Sequence, residues 1–179
     1  MATAAGITVE EFERLPEVLS KNHELVNGEL VELSGNTVRH NRLRDLLVRL
    51  LTPPVEEGKL GLIISEQEFD FGGNVHGPDV SLIGVSKLEL IEAGRRVQRF
   101  VPNLAIEIVS ENDKFKSLME KAARYRKCGT NEVWILSPDT RQAFVQSDEP
   151  RPILDDQQTF ESKLIPGFSV RLADLFDRA

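Results

Sequence analysis

The sequence predicts an α/β domain of the α+β kind, a mixed central β-sheet flanked by few helices, with an N-terminal β-hairpin. Three observations predict it. Short apolar runs of strand length recur, in "GLIIS", "LAIEIV" and "NEVWILS". Two longer stretches place apolar residues at helical spacing. The elements follow in the order hairpin, helix, strands, helix, strands, with no internal repeat or linker to divide them. One domain is expected over residues 1–179, with its core at about 22–147.

"TVEEFERLP" carries a threonine N-cap signal, Thr8, and acids in its first turn, so a short helix should run to Pro16. "HELVNGELVEL" alternates around Asn27-Gly28, a strong two-residue hairpin signal. "NTVRHNRLRDLLVRLL" sets His40, Leu43, Leu47 and Leu50 on one helical face, and Pro53-Pro54 should stop that helix. "GLIISEQEFDF" and "PDVSLIG" read as strands separated by the turn-rich "GGNVHG". After the "IEIV" strand a helix is expected from about Asp113 to Lys127, with Gly129 as its stop and Phe115, Leu118, Met119, Ala122 and Tyr125 as its apolar stripe. "NEVWILS" and "QAFVQS" are two more strands, and "GFSVRLADLF" closes the chain as a strand and a short helix.

The chain has 179 residues, of which 40% are hydrophobic and 28% charged, the usual balance of a soluble globular protein. Its N-terminus lacks the basic start and apolar stretch of a signal peptide, and no apolar run reaches transmembrane length; a cytoplasmic protein with no membrane partner is expected. A single cysteine, Cys128, excludes an internal disulfide and a cysteine-based zinc cage. The histidines, His23, His40 and His76, have no zinc-protease spacing, and neither a phosphate-binding loop nor a nucleophile elbow occurs. A net charge of −7 argues against nonspecific adhesion to nucleic acid, although "RHNRLRDLLVRL", "GRRVQR" and "DKFKSLMEKAARYRK" concentrate cations locally.

"LAIEIVSENDK" sets Glu107 inside an apolar run of the kind that becomes a strand covered on both faces. Carboxylates are almost never buried unless paired or bound to a metal. "PDV" opens another strand with Asp79. If the two strands are neighbours, the two carboxylates converge at one sheet edge, and such an oxygen pair suits a hard divalent cation, Mg²⁺ before zinc, with Mn²⁺ as its substitute.

These residues resemble the PD-(D/E)XK nuclease superfamily, and more closely its Uma-type family of bacterial restriction-endonuclease-like proteins. The resemblance rests on Glu24-Leu25-Val26-Asn27-Gly28-Glu29-Leu30, on His40 at a helix start, and on Pro78-Asp79-Val80. It continues through Glu107-Ile108-Val109-Ser110, Lys121 with Tyr125, and Glu132-Val133-Trp134-Ile135. It implies a restriction-endonuclease-like fold and Mg²⁺-dependent hydrolysis of DNA, with Asp79 and Glu107 as metal ligands and Asp79, Glu107 and Lys121 as the catalytic set. The chain departs from the superfamily formula at Val109, where the triplet lysine should stand; the helix residue Lys121 takes its place. Geometry agrees. A helix returning over its strand brings Lys121 roughly 12 Å in from Asp113, and Glu107 lies roughly 10 Å back from Ser110.

Blander readings stand beside these. Asp79 could be a turn acid, Glu107 a core carboxylate paired with Lys121, and Lys121 a solvated flank. Glu24 and Glu29 read first as exposed hairpin acids, with an auxiliary metal or base role as the alternative, and Glu66 as part of a solvated strand face with Glu68 and Asp70, with a further site carboxylate as the alternative. His40 reads as a hydrogen-bonded packing residue near the site, Ser110 as a strand-end hydroxyl, and Trp134 and Tyr125 as core. Two rival functions remain: a catalytically inactive nuclease-fold module binding nucleic acid or protein, and a metal-dependent phosphoesterase acting on small nucleotides. Such folds often form homodimers to cut both strands, and the sequence carries no interface signal that decides the point.

Overall fold

Residues 6–110, 113–149 and 151–179 are described by the structure, a computed structural model. Helix α1 (Val9–Glu13) is capped reciprocally: Thr8 Oγ1 accepts from the Glu11 amide at 3.2 Å, and the Glu11 carboxylate accepts from the Thr8 amide at 2.7 Å. After α2 (Glu17–Ser20), strands β1 (His23–Val26) and β2 (Glu29–Glu32) form the expected hairpin. Its turn residues Asn27 and Gly28 both have positive φ, 52° and 81°, as a tight two-residue turn requires. Helix α3 (Val38–Glu57), β3 (Gly61–Ser65), β4 (Glu68–Asp70), β5 (Val75–His76), β6 (Val80–Gly84) and a 3₁₀ helix (Val85–Leu90) follow. The chain continues through β7 (Val97–Gln98), β8 (Leu104–Ile108), α4 (Phe115–Lys127), β9 (Glu132–Ser137), β10 (Gln142–Gln146), β11 (Thr159–Glu161), β12 (Ser169–Arg171) and α5 (Leu172–Asp177).

The strands form two five-stranded mixed sheets and one pair. The larger sheet runs β10-β9-β8-β6-β3, the second β2-β1-β5-β4-β7, and β11 pairs with β12. Strands β8 and β9 are parallel and α4 is their crossover; β6 runs antiparallel to β8. Because side chains alternate along a strand, Leu104, Ile106 and Ile108 face the core under α3, while Ala105 faces the core under α4. Glu107 falls on the α4 side by the same alternation. That parity is the first determinant of the site.

Three expectations about the elements are corrected, and the core reaches further along the chain than expected. Helix α3 does not stop at Pro53-Pro54 but runs through both to Glu57. The prolines cannot donate to the Arg49 and Leu50 carbonyls, a cost of about 3 kcal/mol each in a helix interior. Fully buried Leu51 and Val55 hold the helix against the sheet across that interruption. "GLIISEQEFDF" is not one strand: it breaks at Glu66, whose φ is 55°, and sends β3 and β4 to different sheets. "GGNVHG" is more than turn, since Val75–His76 pairs with both β1 and β4. The core also draws on Phe160, Phe168, Leu175 and Phe176, beyond residue 147.

The Glu132-x-Trp134 pair belongs to this scaffold. Glu132 Oε2 accepts from the Trp134 indole N–H and the Ser162 hydroxyl, both at 2.9 Å, and Glu132 is buried. The register sets Glu132 beside Leu104, at the strand end away from Glu107. Replacing Glu132 by Ala strands two buried donors and should cost about 2–4 kcal/mol in urea-induced unfolding. An unchanged unfolding midpoint would refute this anchoring role.

Candidate functional site

Strand β6 meets β8 with Val80 opposite Ile106, so one residue further Asp79 lies opposite Glu107. Asp79 Oδ2 accepts from the Ile108 amide at 2.7 Å, which fixes its carboxylate across the strand end. Both acids line one cavity of about 1360 Å³, walled by the hairpin, the N-terminal segment and α4. The two acids predicted as a pair are therefore brought together at one sheet edge.

Lys121 arrives from α4, as the helix-over-strand geometry predicts. Its Nζ lies 3.0 Å from Glu107 Oε2. One turn on, the buried Tyr125 hydroxyl donates to Glu107 Oε1 at 2.7 Å, and the Tyr125 ring stacks on Phe71 with centroids 4.0 Å apart. Tyr125 is core, and it is also the donor that holds Glu107. Burial pushes the Glu107 carboxyl up to about 7; Lys121 opposes this, while the charges of Asp79 and Glu24 add to it. Burial alone would lower the Lys121 ammonium, but Glu107 and Glu24 outweigh it and hold it well above its ordinary value.

Glu24 enters from β1, where the sequence suggests first an exposed hairpin acid and otherwise an auxiliary site residue. Leu25 packs fully buried into the core beneath α1, so its neighbour Glu24 points the other way, into the cavity, and is itself only 6% exposed. Its Oε1 stands 2.8 Å from Lys121 Nζ, off the line of a hydrogen bond, and is otherwise a buried oxygen without a partner. Burial alone would raise Glu24; Lys121 and His76 outweigh it and bring it down to about 2. Glu29, by contrast, sits exposed on β2.

His40 comes from the first turn of α3, whose cap Thr37 accepts from the His40 amide at 3.2 Å. Its Nε2 meets Asp79 Oδ1 at 2.7 Å and its Nδ1 meets the Ser110 hydroxyl at 3.3 Å. Burial alone would lower the imidazole, but Asp79 outweighs it and holds His40 above its ordinary value. His40 thus braces Asp79 as a hydrogen-bonded neighbour, and Ser110 braces His40. Glu66 lines the same cavity, donates its amide to the Asp79 carbonyl at 3.3 Å, and pairs its carboxylate with Arg44 at 2.5 Å.

Among the described residues no three His, Cys, Asp or Glu side chains cluster tightly enough to cage a metal. The donor set is the Asp79–Glu107 carboxylate pair, with Glu24 held against Lys121 beside it. That fits an ion which takes the rest of its shell from water and substrate, as Mg²⁺ does, and does not fit a closed zinc cage. The cavity wall carries ten carboxylates against five lysines and arginines, so it favours a cation over a bare phosphate chain. Cations that the sequence concentrates locally are largely held in ion pairs: Arg39 with Asp139, Arg96 with Glu68, Arg99 with Glu13.

A family model described as "Uma2: Putative restriction endonuclease" matches residues 9–173. The chain is similar to the crystal structure of a "putative nuclease belonging to DUF820" from Anabaena variabilis ATCC 29413. The two share 21% identity and a TM-score of 0.85, over 96% of this chain and 98% of that one, a likeness of fold. No curated protein matches. No helix among the described residues is long and apolar enough to cross a membrane.

The raised Glu107 carboxyl carries a signed consequence for stability. The folded chain holds that proton more tightly than the unfolded one, so the group's contribution is present below about pH 4.5 and is lost as pH rises toward about 7. In EDTA, the stability of the parent protein relative to Glu107→Gln should therefore fall, on the order of 2 kcal/mol, across that window. Urea unfolding of both proteins at stepped pH reads it; a difference that grows with pH would contradict the assignment.

Proposed function

The chain belongs to the Uma2 family described as "Putative restriction endonuclease", and from that premise we propose that it is a metal-dependent endonuclease hydrolysing DNA phosphodiester bonds. One observation carries the reading: Asp79 and Glu107 stand opposite one another at a sheet edge with the Lys121 ammonium 3.0 Å from Glu107. Asp79 and Glu107 would hold Mg²⁺, with Mn²⁺ as a substitute. The bound ion would supply an acidified water and stabilise charge on the phosphoryl oxygens.

The chain's own residues do the rest. His40 and the Ile108 amide hold the Asp79 carboxylate in one orientation, and Tyr125 does the same for Glu107. Lys121 stays charged between two carboxylates, so it serves as a donor to water or phosphate and offsets phosphate charge, rather than taking up a proton. No side-chain nucleophile is required.

The acidic cavity wall favours a second reading, a module that keeps this fold without cutting DNA. A binding module has no use for an acid held at about 7 beside two others, since the arrangement costs stability.

Supercoiled plasmid separates the readings. With Mg²⁺ or Mn²⁺ the protein should nick it; EDTA should stop the reaction. Asp79→Ala and Glu107→Ala should each lower the rate by at least about 100-fold. Cleavage surviving in both variants would remove these residues from the site. Metal-independent binding without cleavage would favour the module, and hydrolysis of nucleotides alone would favour a small-molecule phosphoesterase.

A further inference from the structure

We infer that His76, backed by Arg124, is a positioning residue that aims Glu24 and, through Glu24, sets Lys121 against Glu107. The inference rests on the nuclease reading for its catalytic consequence and on geometry for the chain itself. Leu25 pairs with Val75, so the antiparallel register carries Glu24 opposite His76. His76 is 1% exposed and lies edge-on to Tyr125, with ring centroids 5.5 Å apart. Its Nε2 is 2.9 Å from Arg124 NH1, and its Nδ1 is 2.8 Å from Glu24 Oε2.

Donor chemistry assigns the proton. A guanidinium only donates, so Nε2 accepts and the neutral ring carries its hydrogen on Nδ1. The Nδ1–Glu24 contact is off-line for a hydrogen bond, yet Nδ1 has no other partner, so Glu24 is the acceptor available to it. Burial, the largest influence, keeps the imidazole below its ordinary value, in agreement with the neutral form. With Oε2 facing His76 Nδ1, Glu24 presents Oε1 to Lys121 at 2.8 Å. The five residues form one line, Arg124 to His76 to Glu24 to Lys121 to Glu107, joining α4 to the second sheet and back again. Outer residues of this kind set the rotamer of a catalytic side chain, and their removal costs about 10–100-fold in activity.

Two replacements of His76 divide its functions. Asn places an amide donor near the Nδ1 position and keeps the Glu24 contact; Gln reaches the Nε2 position and keeps only the Arg124 contact. Turnover on plasmid should fall about 10–100-fold in H76F and H76Q with KM within twofold, and H76N should recover most of the loss. Mn²⁺ affinity by calorimetry should be unchanged in H76F. Equal turnover in all three variants would overturn the inference. So would a matching loss of Mn²⁺ affinity, since Glu24 would then act through the ion and not the lysine. Where H76F fails to fold, Arg124→Met should give the same loss in kcat. Nitrogen-15 NMR of the parent protein reads the line without any activity: Nδ1 should be protonated and Nε2 bare, and the Lys121 ammonium signal should shift in H76N less than in H76Q. A proton on Nε2 would overturn the inference even in an active nuclease, while the expected spectrum in a protein that never nicks DNA would overturn only the nuclease reading.

Discussion

A single ammonium shared between two buried carboxylates governs this structure. Lys121 Nζ lies 2.8 Å from Glu24 and 3.0 Å from Glu107, and its side chain is 15% exposed. Bringing two acids from different sheets into one low-dielectric pocket is unfavourable on its own. The lysine between them makes it tolerable and, in doing so, ties the hairpin sheet to the central sheet through α4. Asp79 is braced separately, by His40 from α3 and by the Ile108 amide. Two layers of helix thus hold two acids that the sheet itself sets side by side.

Much of this was legible in the sequence because it depends on parity and spacing. Strand alternation is indifferent to tertiary context, so Glu107 had to share a face with Ala105 and oppose Ile106 and Ile108. The rise of a helix and of a strand brought Lys121 level with Glu107, and the two meet. Asn27-Gly28 and the Thr8 cap are local chemistry and stand where the sequence places them. What spacing could not reveal was which strands belong to which sheet. "GLIISEQEFDF" reads as one strand, and only the left-handed Glu66 divides it. The proline pair in α3 misleads for a related reason: local propensity predicts a stop, and burial of Val55 overrides it.

The residues whose place the sequence leaves undecided, Glu24, or does not suggest, His76, are those whose role depends on long-range pairing. Glu24 looks like a hairpin acid until β1 gains β5 as a neighbour, and His76 looks like part of a glycine-rich turn until Val75 pairs with Leu25. A faint signal was present. In "HELV" a charged residue abuts a leucine that must be buried, so the carboxylate faces whatever covers the other side of the hairpin. The sequence could show that Glu24 points away from Leu25, not that the central site lies there. His40 reads in the sequence as a hydrogen-bonded packing residue, and in the structure its Nε2 bonds Asp79.

On the proposed nuclease reading, Lys121 stands in for the lysine that the formula the sequence resembles places at residue 109. Residue 109 follows Glu107 by two, so it shares the α4-facing side of the strand end, and Val109 packs with the core beneath α4. A lysine at 109 would reach the Glu107 carboxylate along the strand; Lys121 reaches it from the helix above, out of the same layer. The two placements differ in what they demand of the rest of the fold. A strand lysine needs only its own backbone to fix it, whereas a helix lysine depends on the packing of α4 and on a second anchor at its ammonium. Here the anchor is Glu24, and the hairpin that carries it forms one wall of the cavity. Lys121 on the helix thereby ties the N-terminal hairpin to the cavity through Glu24, whose neighbour Leu25 buries the other face of the same strand in the core beneath α1.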